Sequence, residues 1–170
     1  MKTKTIIIFM ILAIFGLFIW GYFSKGGTAA SVQGVTTLNT AQTSLTASEI
    51  FYDFGTISMK KGNVSKDFSV TNPTNKDIVL DKVLTSCMCT SAFVIRPDGS
   101  TKGPFGMVGH GGTVPPANEI IKAGESRTIR VVFNPNAHGP AGVGKIDRFI
   151  TLTDSLGNNF QFEIVATVMP

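Results

Sequence analysis

The chain has 170 residues, 43% of them hydrophobic and 15% charged, with two Cys, two His and a formal net charge of +4. A charge fraction below the ~25% of ordinary soluble domains, beside an ordinary apolar share, excludes a disordered chain and a Lys/Arg-rich nucleic-acid binder, and two cysteines exclude a disulfide scaffold. Three basic residues, Lys2, Lys4 and Lys25, stand in residues 1–25 without an acid, so the remaining chain is close to neutral.

From Thr5 to Phe23 the sequence TIIIFMILAIFGLFIWGYF runs for nineteen residues without a charge. At ~1.5 Å rise per residue such a helix nearly spans the ~30 Å hydrocarbon core. Residues 1–25 are therefore expected to be a membrane anchor, with Ile6, Phe9, Leu12 and Phe15 in lipid and Trp20 near the interface. A cleaved signal is the alternative, with small residues at Gly27-Thr28-Ala29 or Thr28-Ala29-Ala30 as cleavage sites. Lys2 and Lys4 outweigh Lys25, which keeps the amino end in the cytoplasm and exports the rest, periplasmic or secreted if cleavage occurs. No Cys precedes position 87, which excludes a lipid-modified cysteine at the export site.

Residues 26–48 have no charge and no aromatic side chain, the composition of a flexible Ser/Thr/Gly linker, with a reach of roughly 25 Å. Residues 49–169 change to short alternating runs parted by turn residues. Ile50, Tyr52 and Phe54 alternate before Gly55; Val64, Phe68 and Val70 precede Asn72-Pro73; Ile78, Leu80 and Leu84 follow. Then come Ile129, Val131 and Phe133, Ile146, Arg148, Ile150 and Leu152, and Phe160, Phe162, Ile164, Ala166 and Val168. This period-two pattern predicts an all-β fold, an immunoglobulin-like β-sandwich of about seven strands. Residues 97–118 hold Gly and Pro without periodicity, between a strand ending near Ile95 and one opening at Glu119, and are expected to be a long loop.

Chemistry concentrates at Ser86-Cys87-Met88-Cys89-Thr90. In an extended strand Cys87 and Cys89 share a face with Cα atoms ~6.5–7 Å apart, so a bridge between them needs a turn or kink. Three roles stay open: two small buried hydrophobes, two thiolates on a soft metal such as Cu(I) or Zn(II), or a disulfide with redox function. His110, in the Gly-rich loop, and His138, in Asn136-Ala137-His138-Gly139-Pro140, would complete a metal set if their loops meet the cysteines, with Met88 and Met107 as further soft donors. A solvated role is the simpler one for either histidine. No nucleophile with an orienting third residue, phosphate-binding loop or dinucleotide fingerprint is present, so no catalytic residue is assigned and an enzyme is not expected.

Several of these strings together resemble the bacterial domain of unknown function 1573, an immunoglobulin-like group related to Hydin-type domains. The resemblance spans residues 47–169 and is carried by Phe51-Tyr52-Asp53-Phe54-Gly55-Thr56-Ile57, Asn72, Ser86-Cys87-Met88-Cys89-Thr90, Ala123-Gly124-Glu125, Phe133-Asn134-Pro135, His138-Gly139-Pro140 and Arg148. Met88 stands where the family most often has Gly. The resemblance implies a seven-stranded sandwich, export and membrane attachment, and supplies no activity. The expectation is thus a single-pass, extracytoplasmic binding or structural module of the cell envelope, with a membrane and an envelope protein as partners, no nucleic acid and no established cofactor. The competing reading is a copper- or zinc-binding or thiol-redox domain using Cys87, Cys89 and the loop histidines.

Overall fold

A computed structural model describes residues 44–109 and 114–170. Ten strands are present among the described residues: β1 (Thr46–Ala47), β2 (Phe51–Ser58), β3 (Val64–Thr71), β4 (Ile78–Thr85), β5 (Thr90–Ile95), β6 (Thr101–Phe105), β7 (Glu119–Ile121), β8 (Ser126–Phe133), β9 (Gly144–Asp154) and β10 (Asn159–Met169). They form two five-stranded sheets, in the orders β1-β3-β8-β5-β6 and β2-β10-β9-β4-β7. All pairings are antiparallel except β2 with β10. The expected anchor at residues 5–23 and linker at 26–48 fall outside the described residues, except that Ser44–Ser48 are described and include β1. Among the described residues no helix is long and apolar enough to cross a membrane.

Alternation builds the core as the sequence pattern implies. Ile129, Val131 and Phe133 on β8 and Phe162, Ile164, Ala166 and Val168 on β10 are all buried. Phe68 of β3 stacks on Phe162 of β10 with ring centroids 4.5 Å apart, so the inner faces of the two sheets interlock as a β-sandwich. Each such side chain contributes about 1.5–3 kcal/mol by leaving water.

Three departures from simple alternation have local causes. On β4 the inward set is Leu80, Val83 and Thr85 rather than Ile78, Leu80 and Leu84, because the register with β9 shifts between Leu80 and Lys82. The extra residue flips every later side chain. Gly55 does not end its strand: at φ +66° it sits within β2, where the β10 register shifts between Val165 and Thr167. The 97–118 segment is not all loop, since β6 pairs with β5 inside it. Gly103 has φ +127°, and a Cβ there would lie 2.9 Å from the Ala92 carbonyl oxygen, so only glycine lets β6 approach β5. Strand β6, with β1 and β7, raises the count above seven; all are too short for a period to register.

Two buried polar residues lock the turns. Asn72 donates to the carbonyls of Lys76 (2.7 Å) and Ile121 (2.9 Å) and accepts from Thr74, saturating its amide. Glu119, on β7 of one sheet, is 3% exposed and accepts from Arg96, which follows β5, and from Arg127 Nε of β8 in the other sheet at 3.0 Å. Burial pushes the Glu119 carboxyl up, but hydrogen bonds from Arg96 and Arg127 outweigh it and hold the group below its ordinary 4.5.

Replacing Glu119 with Gln leaves the buried Arg127 guanidinium with only the more exposed Glu125 carboxylate, 3.1 Å from its other arm, as counter-charge, and the urea midpoint should fall by the equivalent of about 3 kcal/mol. With a lowered carboxyl value, the unfolded chain binds more protons than the folded one near that range. Stability from this group is therefore complete above about pH 5 and is lost as the pH drops through 4.5 and below, a slope the variant should lack in urea titrations at pH 3–6.

Candidate functional site: a disulfide turn between the sheets

Strand β4 belongs to one sheet and β5 to the other, and the chain crosses between them through Ser86–Cys89 at one end of the sandwich. The crossing is a turn, closed by Thr90 N–H donating to the Cys87 carbonyl at 3.1 Å. It brings the Cα atoms of Cys87 and Cys89 to 5.3 Å, inside the range that a disulfide requires, and the two sulfurs are bonded. An extended strand would have kept them apart, so the disulfide is a product of the turn.

The turn is held from both sheets. Ser86 N–H donates to the Phe149 carbonyl of β9, and Phe149 N–H donates to Ser86 Oγ, both at 2.9 Å. Thr85 Oγ1, at the end of β4 in the same sheet, donates toward the carbonyls of Cys87 and Thr90 at 3.1 and 3.0 Å, and from the other sheet Asn134 N–H, just after β8, donates to the Cys89 carbonyl at 2.8 Å. Cys89 is 2% exposed and Cys87 half-buried, while Met88 between them is 51% exposed. The two sulfurs therefore differ in access.

They differ in charge environment as well. His138 Nε2 lies 3.1 Å from Cys87 Sγ, and Arg148 Nε donates to Cys89 Sγ at 3.2 Å. His138 is placed by the Asn134–Asn136 turn, in which Asn136 N–H donates to Asn134 Oδ1 at 2.9 Å, and by the 3-10 turn Gly139–Gly142 that follows. A Cβ on Gly142 would come within 3.3 Å of His138 Cβ, so a glycine there lets the 3-10 turn close against the histidine.

Of the expected site residues, the structure brings together Cys87, Cys89 and His138, whose ligand atoms all lie within 4.8 Å of one another. His110 lies outside the described residues, Met107 is half-buried just past β6, and Met88 faces solvent in the turn. Metal ligation and a bridge exclude each other here, because bonded sulfurs lack the thiolate charge that holds a soft cation, and reduction must come first. Arg148 was not among the expected site residues. Its signal was parity: it stands on β9 between the buried Ile146 and Ile150, an arginine on an inward face, and such a side chain needs a buried acceptor.

A family model described as "Protein of unknown function (DUF1573)" matches residues 45–98, a narrower span than 47–169 but one that contains the Cys-x-Cys turn. No curated protein matches the chain. Among solved structures, a protein of unknown function from Porphyromonas gingivalis W83 is similar at TM-score 0.53 and 16% identity, over 77% of this chain and 50% of that one. The VesB protease of Vibrio cholerae (TM-score 0.48, 13% identity, 73% and 32% covered) and the CupB2 chaperone of Pseudomonas aeruginosa (0.38, 13%, 72% and 55%) are more distant. At such identity the first supports the fold alone, and the other two carry no argument. The chain spans about half the length of the first of these structures and about a third of the second.

A bridge across one intervening residue closes so short a loop that it removes little entropy from the unfolded chain, under about 2 kcal/mol. Reduction with dithiothreitol should therefore leave the β-sheet circular dichroism unchanged and lower the melting temperature by only a few degrees.

Proposed function

We propose that the chain is an immunoglobulin-like module of the DUF1573 type, exported and held at the cell membrane through residues 5–23, that binds an envelope protein and has no catalytic turnover. The observation that carries this reading is the edge strand β2. It ends its sheet, is eight residues long, and among the described residues borders no strand but β10. Ile50 and Phe51 at its start are 54% and 48% exposed. A long edge with unpaired backbone groups and apolar side chains is a template for an added strand. The other edges suit that role less: β1 has two residues, β7 three, and β6 carries Pro104, which has no N–H to donate. The immunoglobulin-like attribution draws support from the sandwich and from the first long strand running parallel to the last; the family attribution draws on the match at 45–98.

A photoreactive phenylalanine analogue at Phe51 of the full chain, irradiated in the native envelope, should give a discrete protein adduct. The same analogue at Leu156, 85% exposed on the β9–β10 turn, should give none. Equal labelling at both positions, or no adduct at Phe51, removes the edge as the binding surface.

A second reading is favoured by the convergence of Cys87, Cys89 and His138 within 4.8 Å. Once reduced, two thiolates and an imidazole form a soft set suited to Cu(I), or to Zn(II) with a water as fourth ligand. Titration of the reduced full chain with Cu(I) against a chromogenic chelator should show one tight site that weakens at least about tenfold in His138→Ala. Equal affinity in the wild type and the variant excludes the histidine from the set.

A further inference from the structure

We propose that the Cys87–Cys89 disulfide is polarised for attack at Cys87, so that the module captures a thiol-bearing partner as a mixed disulfide through that sulfur, with Cys89 as the leaving group. This deepens the binding reading by naming the chemical handle of the partner. Two independent asymmetries carry it. Exchange needs a thiolate to reach one sulfur along the S–S axis, and only Cys87 is partly exposed, Cys89 being 2% accessible. The electron pair of the broken bond must also settle on the other sulfur, and that one already accepts a hydrogen bond from the Arg148 guanidinium at 3.2 Å, with Thr90 Oγ1 a further 3.7 Å neighbour. A permanent cation beside the departing sulfur favours its thiolate and speeds departure.

The step balances without an outside oxidant. A partner thiolate attacks Cys87 Sγ; the new S–S bond joins partner and Cys87, the Cys87–Cys89 bond breaks, and its electron pair leaves on Cys89 Sγ as a thiolate paired with Arg148. Return attack by Cys89 on Cys87 expels the partner thiolate and restores the starting state. A second thiolate on the partner instead attacks the partner's own bridged sulfur, which releases the partner oxidised and the module as a dithiol. Arg148 is a positioning residue that acts through Cys89. Its placement is fixed by β9, whose Arg148 pairs with Ile164 of β10, and by a second bond from its NH1 to the Asp147 carbonyl at 2.7 Å.

The test uses the oxidised full chain and reduced glutathione as the thiol, with acid quenching, alkylation and peptide mass spectrometry. Glutathione should be found on Cys87 over Cys89 by more than about tenfold. The opening rate should fall roughly three- to tenfold in Arg148→Gln, which removes the guanidinium 3.2 Å from the departing sulfur, and return to within about twofold of wild type in Arg148→Lys. A purely structural role for Arg148 would not be rescued by lysine, whose ammonium preserves charge but not shape. A Cys89→Ser variant, its fold checked by circular dichroism, removes the opening step: its lone Cys87 should form a stable mixed disulfide with oxidised glutathione, whereas Cys87→Ser, left with the 2%-exposed Cys89, should react at least about tenfold more slowly. Equal labelling of the two sulfurs, an unchanged rate in Arg148→Gln, or no rescue by lysine overturns the proposal. Resistance of the disulfide to glutathione also overturns it, while leaving photo-crosslinking at Phe51 to judge the edge-strand reading on its own.

Discussion

The carboxylate of Glu119 is the contact on which the arrangement of the two sheets depends most. It lies on a three-residue edge strand of one sheet and is nearly sealed from water, yet its hydrogen bonds come from Arg127 in the other sheet and from Arg96 just beyond β5. Apolar burial between sheets is non-directional and would tolerate sliding; a charged fork and a carboxylate do not. The pairing therefore fixes how β7 sits over β8, and the chain that returns from β6 must arrive where Glu119 can meet both arginines. Ala117 N–H, donating to the Asp81 carbonyl at 2.7 Å, ties the same approach to β4, where the register shifts.

The fold was legible where backbone and side-chain preferences agreed. On β8 and β10 the apolar residues alternate without interruption, and their burial follows directly. Legibility failed where a local backbone feature overrode the period. The extra residue near Asp81 exchanges Leu84 for Val83 as the inward side chain, and no hydrophobic pattern announces such a bulge in advance. Strand β6 was hidden for a different reason: Gly103 and Pro104 are turn residues by composition, and what makes them strand residues is the pairing with β5, where Gly103 meets Ala92 from earlier in the chain. A long-range contact leaves no local trace.

The site shows the same division. The cysteine pair stood out by spacing, and His138 by chemistry, but nothing local says that the His138 loop reaches the sulfurs. That follows from β8 ending beside the Cys87–Cys89 crossing, so that the loop after Phe133 opens there. Arg148 was visible as an exception, a charged side chain in an inward series, and exceptions of that kind mark where a core opens toward something polar. A turn that joins two sheets and is hydrogen-bonded to each holds Cys89 covered and leaves Cys87 partly exposed.

The parallel pairing of β2 with β10 has a mechanical consequence. Six register pairs, from Glu163 with Phe51 to Met169 with Ser58, bind the first long strand to the last with their directions aligned. Tension applied between residue 49 and residue 169 pulls these strands along their length in opposite senses, so the interstrand hydrogen bonds bear the load together instead of opening one after another from an end. A module built this way resists stretching between those points far better than a hairpin of equal length would, and any pull that reaches it along the chain meets its stiffest direction first.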